Sequence, residues 1–227
     1  MTSALRLIIF DVDGTLVDSQ RDIIAAMTRA FDGVGLPQPP HSDILSIVGL
    51  SLDVAMARLV PDAPDDQRVK MVHGYKDAYI ALRAETGAAL SSPLYAGAAD
   101  TLAMLNAVPE NILGVATGKS RRGLDKLLAA HGMEQLFLTQ QVADFHPSKP
   151  HPSMIEAAMR DIGVGPAQTV MIGDTSFDMD MAKAAGVGAI GVSWGYHDIS
   201  RLHAADRIVD SFPALDEALQ DILGARV

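Results

Sequence analysis

Short apolar runs that end abruptly at small or acidic residues constrain the fold of this chain most strongly. The first covers residues 7–10 and stops at Asp11, and comparable runs cover residues 112–116, 169–172 and 187–192. Strands that are buried on both faces of a parallel sheet have this continuous apolar pattern rather than an alternating one. We therefore expect these four segments to be strands of one parallel sheet.

Helical patterns separate the later runs. One begins near Ser120 and ends by Gly132, a second covers residues 152–163, and a third covers about residues 176–186. Each pattern ends in a glycine, which is a common residue where a helix stops. Strands that alternate with helices in this way predict an α/β fold, a doubly wound parallel sheet.

The segment of residues 16–94 contains no comparable run and has the pattern of several helices. Ser19 fits the first position of a capping box, and a longer helix is predicted over about residues 65–85. The simplest interpretation is a small all-α domain that is inserted after the first strand. The predicted division is a core of residues 1–15 and 95–227 with a helical insert between them.

Composition and charge exclude several classes of function. The formal net charge is −10 and the pI is near 5.0, whereas nucleic acids and anionic membranes call for basic surfaces. The chain has no cysteine, which excludes disulfides, thiolate catalysis and zinc–thiolate sites. The apolar run near the N-terminus is too short for a signal sequence or a membrane span, so a cytoplasmic location is the default expectation.

The motif Asp11-Val12-Asp13-Gly14-Thr15 directly follows the first predicted strand. Ligands of open α/β sheets bind at this carboxyl edge, and residues two apart on an extended segment point the same way. Asp11 and Asp13 can therefore share one site, while Gly14 allows a sharp turn close to a ligand. The plainer alternative is that these residues only terminate the strand.

A second acidic motif, with Gly173, Asp174 and Asp178, follows the third predicted strand where a helix begins. Taken alone, aspartates at this place could serve only as helix caps. Together with Asp11 and Asp13 they would form an all-oxygen site suited to Mg²⁺, since clustered carboxylates repel one another without a cation. The pairing of the two motifs therefore predicts a magnesium site.

Two further elements are candidate ligands of a phosphoryl group. Thr117, Gly118 and Lys119 combine a hydroxyl, a flexible amide and a helix N-terminus, although a simple helix cap would look the same. Lys149 lies between prolines just before a predicted helix, which suits a fixed positive charge, although loop lysines are usually solvated. Both elements predict phosphate binding.

The order of these motifs resembles the haloacid dehalogenase-like hydrolase superfamily, and within it the phosphoglycolate-phosphatase-like branch with a helical cap. All four motifs of that superfamily are present, and the resemblance spans nearly the whole chain. It implies a Rossmann-like core, and it implies that residues 16–94 form a cap domain, here called the cap. It also implies that Asp11 is the nucleophile and Asp13 the general acid and base, while Thr117 and Lys149 hold the transferring phosphoryl group.

The metal and substrate contacts also follow from the resemblance. Mg²⁺ would be bound by Asp11, by the backbone carbonyl of Asp13 and by Asp174, with Asp178 in a supporting or water-mediated role. A loop of the cap near Gly49 would contact the substrate, with a simple helix-to-helix turn as the alternative.

The implied activity is an Mg²⁺-dependent phosphatase that hydrolyses small-molecule phosphate monoesters, phosphoglycolate-like or sugar phosphates, through an aspartyl-phosphate at Asp11. Asp13 argues against a dehalogenase, whose reaction needs no acid for the leaving group. A phosphosugar mutase and a pyrophosphatase remain alternatives, and Gly118 departs from the branch, where asparagine is more usual.

Arg121 and Arg122 are candidates for contact with a substrate carboxylate, although exposed helix arginines are commoner. The expected partner is a small phosphorylated metabolite, and the oligomeric state stays open.

Overall fold

Six parallel strands form the centre of the protein in the computed structural model, which describes residues 4–224. They are β1 (Arg6–Phe10), β2 (Asn111–Thr117), β3 (Thr139–Val142), β4 (Thr169–Gly173), β5 (Gly188–Val192) and β6 (Arg207–Val209). The order in the sheet is β3-β2-β1-β4-β5-β6, so β1 pairs with β2 on one side and with β4 on the other. The four predicted strands correspond to β1, β2, β4 and β5.

Helices cover both faces of the sheet. The α-helices of residues 4–224 are α1 (Gln20–Asp32), α2 (His41–Leu45), α3 (Leu52–Leu59), α4 (Asp65–Thr86), α5 (Ala88–Ser91), α6 (Ala98–Asn106), α7 (Arg121–His131), α8 (Ser153–Ile162), α9 (Ser176–Ala185) and α10 (Leu215–Gly224). Ile8 and Phe10 belong to a buried cluster with α6, α7 and α10, whereas Leu7 and Ile9 pack with α8 and α9. The predicted doubly wound α/β fold is therefore confirmed.

The sequence pattern does not predict the two edge strands. Strand β3 carries Gln140 and Gln141, and the short strand β6 leaves Arg207 and Ile208 exposed. Edge strands are covered less completely than central ones, so their sequences need not form a continuous apolar run.

The helices α1–α5 form a unit of their own between β1 and the rest of the sheet. Helices α1–α4 share a buried cluster that includes Met27, Phe31, Ile44, Met56 and Met71, and Phe177 of the core helix α9 packs into it. The two segments that join this unit to the sheet pair with each other at Val17 and Leu94. This architecture agrees with a helical cap, while the boundaries at residues 15/16 and 94/95 stay a prediction. Within residues 4–224 no helix has both the length and the apolar character to cross a membrane.

Candidate active site

The carboxyl ends of β1, β2 and β4 bring the predicted site residues together. Asp11 follows β1, Thr117 ends β2, Asp174 follows β4, Asp178 lies in the first turn of α9, and Lys149 comes from the loop before α8. All five side chains are almost entirely buried. Because β2 and β4 are the direct neighbours of β1, motifs that are distant in the sequence end side by side.

A cavity of about 770 Å³ lies between the cap and this edge of the sheet. The predicted site residues that line it include Asp11, Asp13, Thr117, Gly118 and the cap residue Gly49. Its volume is in the range that accommodates a small-molecule ligand. The cap and the core thus enclose one space that ends at Asp11.

Three buried carboxylates form an acidic cluster at the end of this space. Asp11, Asp174 and Asp178 each offer an oxygen atom, and these atoms lie within 4.8 Å of one another. Burial raises the pKa of Asp174 well above its usual range, and the charges of Asp178 and Asp11 add to the shift. A divalent cation would relieve this repulsion, so the cluster can hold a metal ion.

Gly14 permits the close approach of the Asp11 loop to this cluster. It has a φ of +87°, and a Cβ atom at this position would lie 2.3 Å from Oδ2 of Asp174. Both the backbone conformation and the lack of space therefore require glycine here.

The carboxylate of Asp11 is buried and poorly satisfied. Neither of its oxygens accepts a well-aligned hydrogen bond from residues 4–224. Burial raises the pKa of Asp11 to about 7, while Lys149 opposes this shift and Asp178 adds to it. Buried polar atoms without hydrogen bonds are unfavourable, so these two oxygens suit contact with a metal ion or an electrophile.

Lys149 lies between two carboxylates. Its Nζ atom is 3.0 Å from Oδ1 of Asp11 and 2.6 Å from Oδ1 of Asp178. Burial alone lowers the pKa of Lys149, but the two carboxylates outweigh it and raise the pKa above its ordinary value. The other oxygen of Asp178 accepts hydrogen bonds from the backbone and the hydroxyl of Thr175. Asp178 is therefore held in position to orient Lys149 toward Asp11.

Asp13 lies apart from the acidic cluster. Its Oδ1 accepts a hydrogen bond from the Ser19 hydroxyl at 2.6 Å, and its Oδ2 forms an ion pair with Nζ of Lys119 at 2.8 Å. Burial raises the pKa of Asp13, but Lys119 and Ser19 outweigh this effect and lower the pKa below its usual value. Its predicted metal contact, which is through the backbone carbonyl, stays a prediction.

No sequence pattern predicts that Ser19 and Lys119 are the partners of Asp13. The predicted capping box at Ser19 is wrong, because the hydroxyl makes no cap hydrogen bond to α1 and donates to Asp13 instead. Lys119 carries a weak signal, since it follows the predicted phosphate ligand Thr117 by two residues. The ion pair itself joins segments that are more than one hundred residues apart, so no local pattern reveals it.

Two arginines of α7 are placed differently from each other. Arg121 donates to the side-chain and backbone oxygens of Gln140 and does not line the cavity. Arg122 lines the cavity from an exposed position. A third arginine, Arg83 of α4, is buried in the cavity wall, and no sequence pattern indicates it.

Gly118 of the core lies directly against the cap loop around Gly49 and Leu50. A Cβ atom at Gly118 would lie 2.5 Å from the backbone oxygen of Gly49 and 2.6 Å from that of Leu50. A second contact nearby is the hydrogen bond from the backbone nitrogen of Ser51 to the hydroxyl of Ser148, at 2.9 Å. The missing side chain of Gly118 therefore sets how closely the cap loop approaches the sheet edge.

The comparison with known proteins identifies the family. The family of haloacid dehalogenase-like hydrolases matches the chain over residues 8–192, which include both acidic motifs and the cap. The chain belongs to this family.

Its relatives define the type of hydrolase. The probable phosphatase IndB of Dickeya dadantii is 36% identical over 222 residues, which cover 96% of this chain and 94% of the relative. The phosphoglycolate phosphatase of Salmonella choleraesuis is 30% identical over 238 residues, which cover 95% and 92% of the two chains. The protein is therefore an enzyme, a hydrolase of the phosphoglycolate-phosphatase-like type.

Solved structures agree with this assignment. The crystal structure of a predicted phosphoglycolate phosphatase from Haemophilus somnus has a TM-score of 0.83 and 27% identity. The match covers 97% of this chain and 100% of the Haemophilus somnus chain. The β-phosphoglucomutase of Clostridium difficile has a TM-score of 0.82, with coverage of 97% and 98%, but only 20% identity. The second likeness shows a shared fold alone.

Gly118→Ala should lower kcat/KM for p-nitrophenyl phosphate about tenfold or more. The added methyl group overpacks the contact between cap and core, which costs about 1–3 kcal/mol. The φ of Gly118 is not positive, so the effect is steric. Steady-state kinetics would be compared with Gly165→Ala, where the nearest atom is 4.0 Å from a new Cβ. Equal kinetics for the two variants would contradict the role of Gly118.

Proposed function

We propose that this protein is a magnesium-dependent phosphatase that hydrolyses small phosphate monoesters through an aspartyl-phosphate at Asp11. The main support for this proposal is the environment of the Asp11 carboxylate. It is buried at the end of the cavity, its oxygens lack hydrogen bonds from residues 4–224, and Lys149 lies beside it. The name phosphoglycolate phosphatase among the relatives supports phosphoglycolate-like esters as substrates, while sugar phosphates follow from the resemblance of the sequence motifs.

The donor set suits Mg²⁺. Asp11 and Asp174 provide buried carboxylate oxygens, Asp178 lies within the same cluster, and magnesium prefers oxygen ligands of this kind. The poorly satisfied oxygens of Asp11 suit the binding of a cation better than a purely structural role. When bound, the ion would neutralise charge between the phosphate and the carboxylates.

The nucleophilic step uses Asp11, Thr117 and Lys149. A carboxylate oxygen of Asp11 attacks the phosphorus atom, the bond from phosphorus to the ester oxygen breaks, and the phosphoryl group becomes attached to Asp11. Lys149 remains charged and contributes positive charge next to the transferred group, while the buried hydroxyl of Thr117 lies at the same edge. Positioning and charge neutralisation account for most of the catalysis.

Proton transfer uses Asp13. Its carboxyl group gives a proton to the leaving alcohol and then takes one from the water that attacks the phosphorus atom of the aspartyl-phosphate. That attack breaks the bond to Asp11 and releases inorganic phosphate. Lys119 keeps Asp13 ionised in the free protein, and an entering phosphate dianion raises the affinity of Asp13 for the proton it must donate.

Phosphate release from a panel of esters, with and without Mg²⁺, tests the function. The panel contains phosphoglycolate, sugar phosphates, nucleotides and pyrophosphate, and glucose 1-phosphate is also followed for conversion into glucose 6-phosphate. We expect hydrolysis of at least one monoester, and removal of the metal by EDTA should slow it about 10³-fold, as expected for a lost charge stabilisation of several kcal/mol. Isomerisation without release, release from pyrophosphate alone, or release that EDTA leaves unchanged would contradict the proposal.

A further inference from the structure

Arg83 is a buried cation in the wall of the cavity. It lies in the last turns of α4 and is 8% exposed. The same cavity is lined by Asp11 and Asp13, so Arg83 shares the enclosed space with the reacting groups. Its Nε and Nη2 atoms are buried and have no hydrogen-bond partner within residues 4–224.

Among the buried cations of this site in residues 4–224, Arg83 is distinguished by having no ion pair. Lys149 is paired with Asp11 and Asp178, and Lys119 is paired with Asp13. A nearby carboxylate, that of Asp22, accepts a hydrogen bond from Ser91, and no ion pair joins it to Arg83 in the described part of the chain. Burial raises the pKa of Asp22 and of Asp13, and the charge of Arg83 lowers the pKa of both, but neither carboxylate forms an ion pair with it among residues 4–224. Since a buried charge is costly unless it is closely paired, Arg83 can accept a further anion.

The geometry of the guanidinium group indicates the shape of that anion. Nη1 donates to the backbone oxygen of Gly123 in the core at 3.3 Å, and the carbon of the guanidinium lies 5.3 Å from the centre of the Tyr79 ring. These contacts leave the edge formed by Nε and Nη2. Two parallel N–H groups on one edge match the two oxygens of a carboxylate or a phosphate.

We propose that Arg83 determines specificity by binding an anionic group on the leaving-group part of the substrate. This inference rests on the proposed phosphatase function and narrows its substrates to phosphate monoesters whose alcohol carries a carboxylate or a second phosphate. The cavity of about 770 Å³ leaves room for a carbon body between the two anionic ends, next to Ile23, Met27 and Tyr75. Nε and Nη2 of Arg83 are shielded in this arrangement of cap and core, so binding of the anion requires the cap or the Arg83 side chain to move.

Matched esters test the role of Arg83 in turnover. 3-Phosphoglycerate and glycerol 3-phosphate differ by a carboxylate in place of a hydroxymethyl group, and glucose 1,6-bisphosphate and glucose 1-phosphate differ by a second phosphate. We expect the wild-type protein to prefer the acidic member of one pair. A preference in the first pair identifies the anion as a carboxylate, and a preference in the second pair identifies it as a phosphate. In Arg83→Met the ratio of the two kcat/KM values should fall about 10²-fold toward unity, as expected when a charge-assisted pair is lost. Arg83→Lys, which keeps the charge but not the paired N–H groups, should give an intermediate ratio.

The control removes a different cation. Lys126→Met removes an exposed charge at the rim of the same cavity and should leave the preference ratio unchanged. Wild-type protein without preference in either pair, or an equal loss on both members in Arg83→Met, would overturn the proposal. Circular dichroism melting of each variant separates loss of recognition from loss of fold.

A binding measurement does not depend on turnover. Calorimetry with 3-phosphonopropionate and 3-hydroxypropylphosphonate, in the presence of Mg²⁺, compares ligands that differ at the far end only. We expect the carboxylate to bind at least about tenfold more tightly in the wild-type protein, and Arg83→Met should abolish the difference. If no ester is hydrolysed but this difference is present, the proposed activity fails and the anion site stands. If the protein binds both phosphonates equally and also prefers neutral esters, the proposed anion site at Arg83 is wrong, while the proposed phosphatase activity stands.

Discussion

Asp11→Asn should lose phosphatase turnover by at least about 10⁴-fold while the protein keeps its fold, as is usual when a catalytic nucleophile is removed. An amide of the same shape cannot attack phosphorus as a carboxylate does. The substitution also removes one of three clustered negative charges, and burial already disfavours the ionised form of Asp11. We therefore expect the thermal stability of the metal-free variant to equal or exceed that of the wild-type protein.

The measurement is steady-state phosphate release together with a thermal melt. Asp18→Asn is the matched control, since this exposed aspartate lies close by in the sequence but outside the acidic cluster. It should retain wild-type turnover. Appreciable turnover in Asp11→Asn, at a rate within tenfold or so of the control, would overturn the assignment of the nucleophile.

Lys149→Met should destabilise the metal-free protein by about 3–5 kcal/mol and also abolish most of its activity. Lys149 is the cation that lies between Asp11 and Asp178, and all three side chains are fully buried or nearly so. Its removal leaves two carboxylates close together in a poorly solvated place, and one of them must then take up a proton. The activity falls because the transferring phosphoryl group loses its neighbouring positive charge.

Urea denaturation in the presence of EDTA measures this loss of stability. The control is Lys70→Met, which removes the exposed lysine of the surface pair with Asp66 and should change the free energy of unfolding by less than about 1 kcal/mol. Added Mg²⁺ should restore part of the stability of Lys149→Met, since a bound cation screens the same carboxylates. A loss no larger than that of the surface control would contradict the role given to Lys149.

The parts of this protein that could be predicted from the sequence are those encoded by neighbouring residues. The strand β1 and the motif around Asp11 and Asp13 adjoin each other, so an apolar run and the residues after it identify both. The same reasoning places Thr117 and Asp174 at the ends of β2 and β4. A parallel sheet brings these residues to the same edge, but the strand order that places β2 and β4 on either side of β1 is known only from the structure.

The features that escaped prediction depend on contacts between distant segments. Ser19 has the sequence of a helix cap, but its hydroxyl donates to Asp13, which lies on the far side of a turn. Arg83 is one charged residue on a long polar helix, and only its contact with Gly123 in the core makes it part of the cavity wall. The edge strand β3 has a polar sequence that its neighbours in the sheet make extended.

In the proposed reaction Asp11 carries the phosphoryl group during turnover. Asp13→Asn slows the hydrolysis of that intermediate, and p-nitrophenyl phosphate has a leaving group that needs little help from an acid. The decisive measurement is mass spectrometry of Asp13→Asn protein quenched in acid during reaction with this ester and Mg²⁺. We expect one phosphoryl group on the peptide that contains Asp11, removable by hydroxylamine and absent when Asp11 is also changed to asparagine. Release of nitrophenol with no labelled protein, or with the phosphoryl group on another peptide, would contradict it.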